Sequence, residues 1–195
     1  AQVTQSTSPQ GSLIAMMKDV DRETKPHLLL EISEKYLSNS IARSKEYALI
    51  ALQAGRKVSN NEFMADAYKH TGNVYYYLDS NEIAITYYDS SLALYNESGD
   101  STGIARIYNN KAIIYSRMGM YNEALDLHLR SMEIKEKTDN PVAIAHTMNN
   151  IGSIYYSLEQ YERSLDYFNR ALEIVNRHNE EAMQQVLLNN IGLIM

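Results

Sequence analysis

Apolar and small side chains recur at i, i+3, i+4 and i+7 along most of the chain, the spacing of helices that bury one stripe. Ile104, Tyr108, Ala112 and Tyr115 form one such stripe, and Ala124, Leu127, Ser131 and Ile134 form the next. Short breaks interrupt the pattern at Leu78-Asp79-Ser80, Met118-Gly119-Met120 and Leu158-Glu159-Gln160. Longer polar breaks follow at Ser98-Gly99-Asp100, Thr138-Asp139-Asn140-Pro141 and Arg177-His178-Asn179. Pro141 suits a first helical turn, where a missing N–H costs nothing. The pattern therefore predicts helices in pairs, short break inside a pair and polar break between pairs.

The pairs repeat. Shifted by 40 positions, the chain falls on itself without a gap. Tyr108-Asn109-Asn110-Lys111-Ala112-Ile113-Ile114-Tyr115 lies over Met148-Asn149-Asn150-Ile151-Gly152-Ser153-Ile154-Tyr155, and that over Leu188-Asn189-Asn190-Ile191-Gly192-Leu193-Ile194-Met195. Upstream, Tyr68-Lys69-His70-Thr71-Gly72-Asn73-Val74-Tyr75 fits the same frame. The second halves share columns too: Ala84/Ala124/Ser164, Tyr88/His128/Phe168, Ser91/Ser131/Ala171 and Leu92/Met132/Leu172. Ser44, Ala48, Ala51 and Leu52 form an earlier, degenerate copy. Neither helix of a pair can bury its stripe alone, so neighbouring pairs must stack.

Composition narrows the function classes. The 195 residues carry 24 acidic and 18 basic side chains, a net charge of −6 that argues against nucleic acid as a partner. There is no cysteine, which removes disulfides and thiolate chemistry together. No apolar run reaches the ~18 residues of a membrane span, so no membrane insertion is expected of this segment. Sixteen tyrosines against two phenylalanines and no tryptophan need a positional explanation, and the repeat supplies one. Tyr75, Tyr115 and Tyr155 fall in one column, as packing residues whose hydroxyls reach the edge.

The small residues Gly72/Ala112/Gly152/Gly192, the tyrosine three positions later and the small and aromatic columns of the second halves resemble the tetratricopeptide repeat. The usual repeat is ~34 residues. The longer unit and the Asn-Asn-Ile-Gly string resemble the variety found in kinesin light chains, Rap-type regulators and Pins/LGN-like adaptors. The first unit departs, with Ile32 at the glycine position and Lys35 at the tyrosine position. The resemblance implies an all-α right-handed superhelix of stacked antiparallel helix pairs. It covers an array over 26–195; ahead of it, the polar, uncharged residues 1–10 read as a leader and residues 11–25 as a capping helix on the first unit. The array units are expected at 26–64, 65–103, 104–143, 144–183 and 184–195.

The resemblance also implies that first helices line a concave groove. The candidate ligand-binding residues are Lys69, His70, Asn73, Tyr77, Arg106, Asn109, Asn110, Arg117, His146, Asn149, Asn150 and Asn190. The second asparagine of each pair would hold a peptide backbone, because a carboxamide both donates and accepts. The alternative for either column is a structural bond to a neighbouring helix, the favoured reading for the first asparagine. Arg106 precedes Asn110, and His146 precedes Asn150, by one helical turn. With Lys69 and Arg117 they give a basic bias that points to an acidic peptide or a C-terminal carboxylate.

Catalytic chemistry has no foothold in the motifs. There is no phosphate-cradling Gly-Lys-Ser/Thr loop, no His-Glu-x-x-His and no Gly-x-Ser-x-Gly. The histidines stand singly, so no catalytic residue, metal site or cofactor is expected. The expected role is a protein- or peptide-binding module, the input region of a larger bacterial signalling protein, on the extracytoplasmic rather than the cytoplasmic side. A chain beginning Ala-Gln reads as a mature end, and Met195 falls mid-helix, so a continuation is expected. Two other readings stay open: a stand-alone scaffold, and a self-association element that makes a homo-oligomer.

Overall fold

The computed structural model describes residues 21–58, 60–138 and 140–195. The leader over 1–10 and the capping helix expected over 11–25 lie, up to residue 20, outside them. Among the described residues the regular structure is all α-helix. We number the helices α1 (Thr24–Tyr36), α2 (Ile41–Gly55), α3 (Asn61–Tyr77), α4 (Asn81–Ser98), α5 (Ser101–Arg117), α6 (Tyr121–Lys137), α7 (Pro141–Ser157), α8 (Tyr161–Arg177) and α9 (Glu181–Gly192). The chain divides into two compact units, Ala1–Gly99 and Asp100–Met195.

Local chemistry explains where the helices start and stop. Asn60, Asp100 and Asn140 cap the odd-numbered helices α3, α5 and α7 by accepting from the amides of Phe63, Gly103 and Ala143. Inside a pair the chain turns tightly. The amides of Ser80, Met120 and Gln160 each donate to the carbonyl of Tyr75, Tyr115 and Tyr155 at 2.9 Å. One residue in each turn is left-handed: Asp79 (φ 53°), Gly119 (φ 76°) and Glu159 (φ 58°). This closure is how a helix stops without stranding its last carbonyls.

In the N-terminal unit, α1 packs on α2, α2 on α3 and α3 on α4. One apolar cluster joins Leu29, Leu30, Ala51, Leu52, Phe63, Met64 and Ala67. In the C-terminal unit, α5 packs on α6, α6 on α7, α7 on α8 and α8 on α9. Its main cluster holds Ala145, Met148, Phe168, Ala171, Val175, Met183 and Leu187.

Within a pair, a size trade sets how closely the two helices approach. A Cβ on Gly72 would lie 2.5 Å from the Tyr88 ring, and one on Gly152 would lie 2.6 Å from Phe168. At the same two registers, α5 and α6 carry Ala112 and His128, and α1 and α2 carry Ile32 and Ala48, all buried. The larger the residue on the first helix, the smaller the one on the second. Ile32, which departs from the repeat, is thus matched by its partner helix. Buried serines tighten the approach further: Ser91 donates to the Ala65 carbonyl and Ser131 to that of Ala105, each at 2.7 Å.

The tyrosines form a second recurrent contact. Tyr75 stacks on Tyr87 at 5.4 Å, and Tyr155 on Tyr167 at 5.5 Å. In the first pair Tyr36 stacks on Tyr47 at 5.7 Å, so the residue beside Lys35 takes the tyrosine role.

Candidate functional site

The odd-numbered helices carry the candidate residues, and the two units treat them differently. In the N-terminal unit they are largely committed to packing. His70, expected on the groove, is only 3% exposed, and its Nε2 lies 2.7 Å from the Ser33 hydroxyl. The Ser33 hydroxyl also contacts Ser44, whose own hydroxyl donates to the Ser33 carbonyl at 2.8 Å. Burial, and secondarily Lys69, lowers the His70 pKa from 6.5 to about 4, so the imidazole is neutral near pH 7. Lys69 is ion-paired with Asp66, which also accepts from the Tyr95 hydroxyl at 2.7 Å. Asn73 accepts from the Tyr88 hydroxyl at 2.8 Å. Tyr77 is exposed, its ring edge-on to Tyr76.

In the C-terminal unit, α7 lies between α5 and α9 and touches both. Arg106, Arg117 and His146 are exposed, whereas Asn109, Asn110, Asn149, Asn150 and Asn190 are half-buried. The carboxamides join across helices. Asn150 donates from Nδ2 to Asn109 Oδ1 at 3.5 Å, and Asn190 donates to Asn149 at 2.8 Å. Asn150 and Asn190 therefore each bond the first asparagine of the preceding odd-numbered helix, spending one of their two N–H groups. Exposed Ser153 and Tyr156 lie on the same helix as Asn149 and Asn150, and with Asn190 they border a small pocket of about 50 Å³.

Charge is sorted between helices in this unit. The helices α5, α7 and α9 carry Arg106, Lys111 and Arg117 against a single acid, Glu181. The acids gather on α6 and α8, where Asp126–Arg130, Glu133–Lys137, Asp166–Arg170 and Glu173–Arg177 pair at 2.9, 2.8, 3.3 and 3.5 Å along one helix face. Lys135 was not among the expected residues. Its ammonium donates to Thr147 at 2.6 Å, tying α6 to α7. Burial, with Arg106 nearby, lowers its pKa from 10.5 to about 8. His128, in the column of Tyr88 and Phe168, is 1% exposed, and burial lowers its pKa to about 4.

Among the described residues no group of three His, Asp or Glu side chains could hold a metal, and no helix is long and apolar enough to cross a membrane.

Helix pairs in a fixed register, matched ring against glycine, with a polar run on their first helices, define a helical-repeat protein. The sequence model of the tetratricopeptide repeat matches residues 63–137 and 103–177, and the chain belongs to that family. Solved structures agree on the fold. Aspartyl phosphate phosphatase F from Bacillus subtilis superposes with a TM-score of 0.87 at 14% identity, over 95% of this chain and 49% of that one. A signal transduction ATPase with a tetratricopeptide repeat sensor, from Pyrococcus horikoshii, gives 0.83 at 14%, over 93% of this chain and 28% of that one. The Rap conjugation gene regulator of plasmid pLS20, in complex with the Phr* peptide, gives 0.77 at 15%, over 89% and 48%. The chain thus spans half or less of each of these three proteins. No curated protein matches it by sequence.

Proposed function

We propose that the α5–α7–α9 face of the C-terminal unit binds an extended peptide, and that the chain serves as the sensing or partner-binding part of a larger signalling protein rather than as a catalyst. The observation that carries this reading is the coincidence of two features in one unit. One is a row of half-buried carboxamides along α5, α7 and α9. The other is the pair of exposed cations Arg106 and Arg117, both on α5, with no acid on α5 or α7. After bonding its neighbour, Asn150 keeps an N–H and a carbonyl oxygen, the two groups a peptide unit needs. Arg106 and Arg117 supply charge-assisted bonds for a carboxylate. The likeness to a peptide-bound Rap regulator and to an ATPase with a repeat sensor supports both the ligand class and the signalling context. An extracytoplasmic setting is part of the same proposal.

The test is a peptide array in which each acidic-tailed sequence is presented with a free and with an amidated C-terminus. Binding should favour the free acids. Asn150→Ala should weaken it by about 1–3 kcal/mol, the cost of leaving a buried polar partner unpaired. Equal capture of both forms, or capture that Asn150→Ala and Arg106→Ala leave intact, would sink the reading.

A further inference from the structure

The register 47/87/127/167 on the second helices reads Tyr, Tyr, Leu, Tyr. Each of the three tyrosines stacks on a tyrosine of its first helix: Tyr36, Tyr75 and Tyr155. Leu127 is the exception. Its counterpart on α5, Tyr115, is still in place, and beside these two residues the surface opens into a pocket of about 550 Å³. Lys111, Met120, Asn122, Glu123, Asp126 and Arg130 complete its lining, and none of the groove asparagines takes part.

The rest of the ring's surroundings persists where the ring is missing. On α8, Arg170 pairs with Asp166 and lies 5.3 Å over the Tyr167 ring. On α6, Arg130 pairs with Asp126 at the same registers, at 2.9 Å. A cation over an aromatic face is attracted to it, and a second ring offset-stacks on the first. Tyr115 and Arg130, the counterparts of the Tyr155 and Arg170 that flank the Tyr167 ring, both line this pocket, with Leu127 at the position of the ring.

We propose that this pocket is a docking site for an aromatic side chain, tyrosine or phenylalanine, presented by a partner protein, which stacks on Tyr115 beside Leu127 under the Arg130 guanidinium. The molecule itself specifies the occupant: the equivalent position holds a ring in the three other pairs, and the Asp–Arg pair of α8 recurs on α6 beside the retained Tyr115. The site borders α5, which the peptide face also uses, but includes none of that face's asparagines.

The probe is p-cresol, the tyrosine side chain alone, titrated into the whole chain and followed by methyl and ring NMR. Shifts should concentrate at Leu127 and Tyr115. Leu127→Tyr, which supplies the ring internally, should abolish them and raise the melting temperature. Tyr167→Leu should create a second responsive site on α8, and Arg130→Ala should weaken binding while leaving the fold intact. Asn150→Ala should leave the p-cresol response unchanged, which separates this site from the peptide face. Absence of shifts at saturating probe, shifts that survive Leu127→Tyr, or a lowered melting temperature in that variant would overturn the proposal. So would a concentration-dependent mass in sedimentation that Leu127→Tyr abolishes, since the ring would then come from a second copy.

Discussion

The two units place the same register in different surroundings. In the N-terminal unit it holds His70, turned inward onto Ser33, with Lys69 beside it engaged by Asp66. In the C-terminal unit it holds asparagines that stay half-exposed, and Asn150 and Asn190 reach back to the preceding odd-numbered helix. The first helices differ in charge accordingly. Glu31, Glu34, Glu62 and Asp66 accompany the lysines of α1 and α3, whereas α5, α7 and α9 carry Glu181 alone. One backbone frame thus supports a polar interior contact in one place and a recognition surface in another. What decides is the residue facing the register position, here a serine hydroxyl on α1.

Acid should break the comparison most strongly, because each unit contains one buried histidine. The pKa values of His70 and His128 are lowered from 6.5 to about 4 in the fold, so the unfolded chain binds more protons between those values. Their stabilising contribution is complete above pH 6.5 and is lost as the pH falls towards 4. Thermal melts across that range should show a falling midpoint, and replacing both histidines with asparagine should flatten it. The next largest effect sharpens the contrast. Ser33→Ala leaves the His70 imidazole buried without its partner and should cost about 1–3 kcal/mol in denaturant unfolding. The smallest belongs to the C-terminal unit. Asn190→Ala removes one partly exposed carboxamide bond and should cost about 0.5–1.5 kcal/mol. If Asn190→Ala proved the more damaging of the two, the asparagines would be a structural seam rather than a binding surface.

Much of this architecture was legible in the sequence, because a gapless period of 40 fixes which residues share a register and helical spacing fixes which face they share. The family, the all-helical fold and the separate small and aromatic columns follow from that, whereas the packing of each glycine against a ring of its partner helix came from the structure. The site was harder to read. Column logic compares positions 40 apart, but the carboxamide bonds join residues 41 apart, a second asparagine to an earlier first one. Columns also treat His70 as equivalent to Asn110, Asn150 and Asn190. Ser33, which makes it an interior residue, lies 37 positions away on a helix that departs from the repeat. In that helix the stacking tyrosine moved by one position, from Lys35 to Tyr36, which a fixed frame cannot anticipate.

The reciprocal sizes at the paired helix registers carry a consequence for biosynthesis. Repeats this alike invite a nascent first helix to pair with the wrong second helix, the characteristic misassembly of repeat proteins. Here the exchange is penalised in both directions. Ile32 brought against Tyr88 would overfill the space that Gly72 leaves for that ring, and Gly72 brought against Ala48 would leave a void. Three kinds of filling, Ile with Ala, Ala with His and Gly with an aromatic ring, thus give side-chain volume a part in matching each first helix to its own second helix.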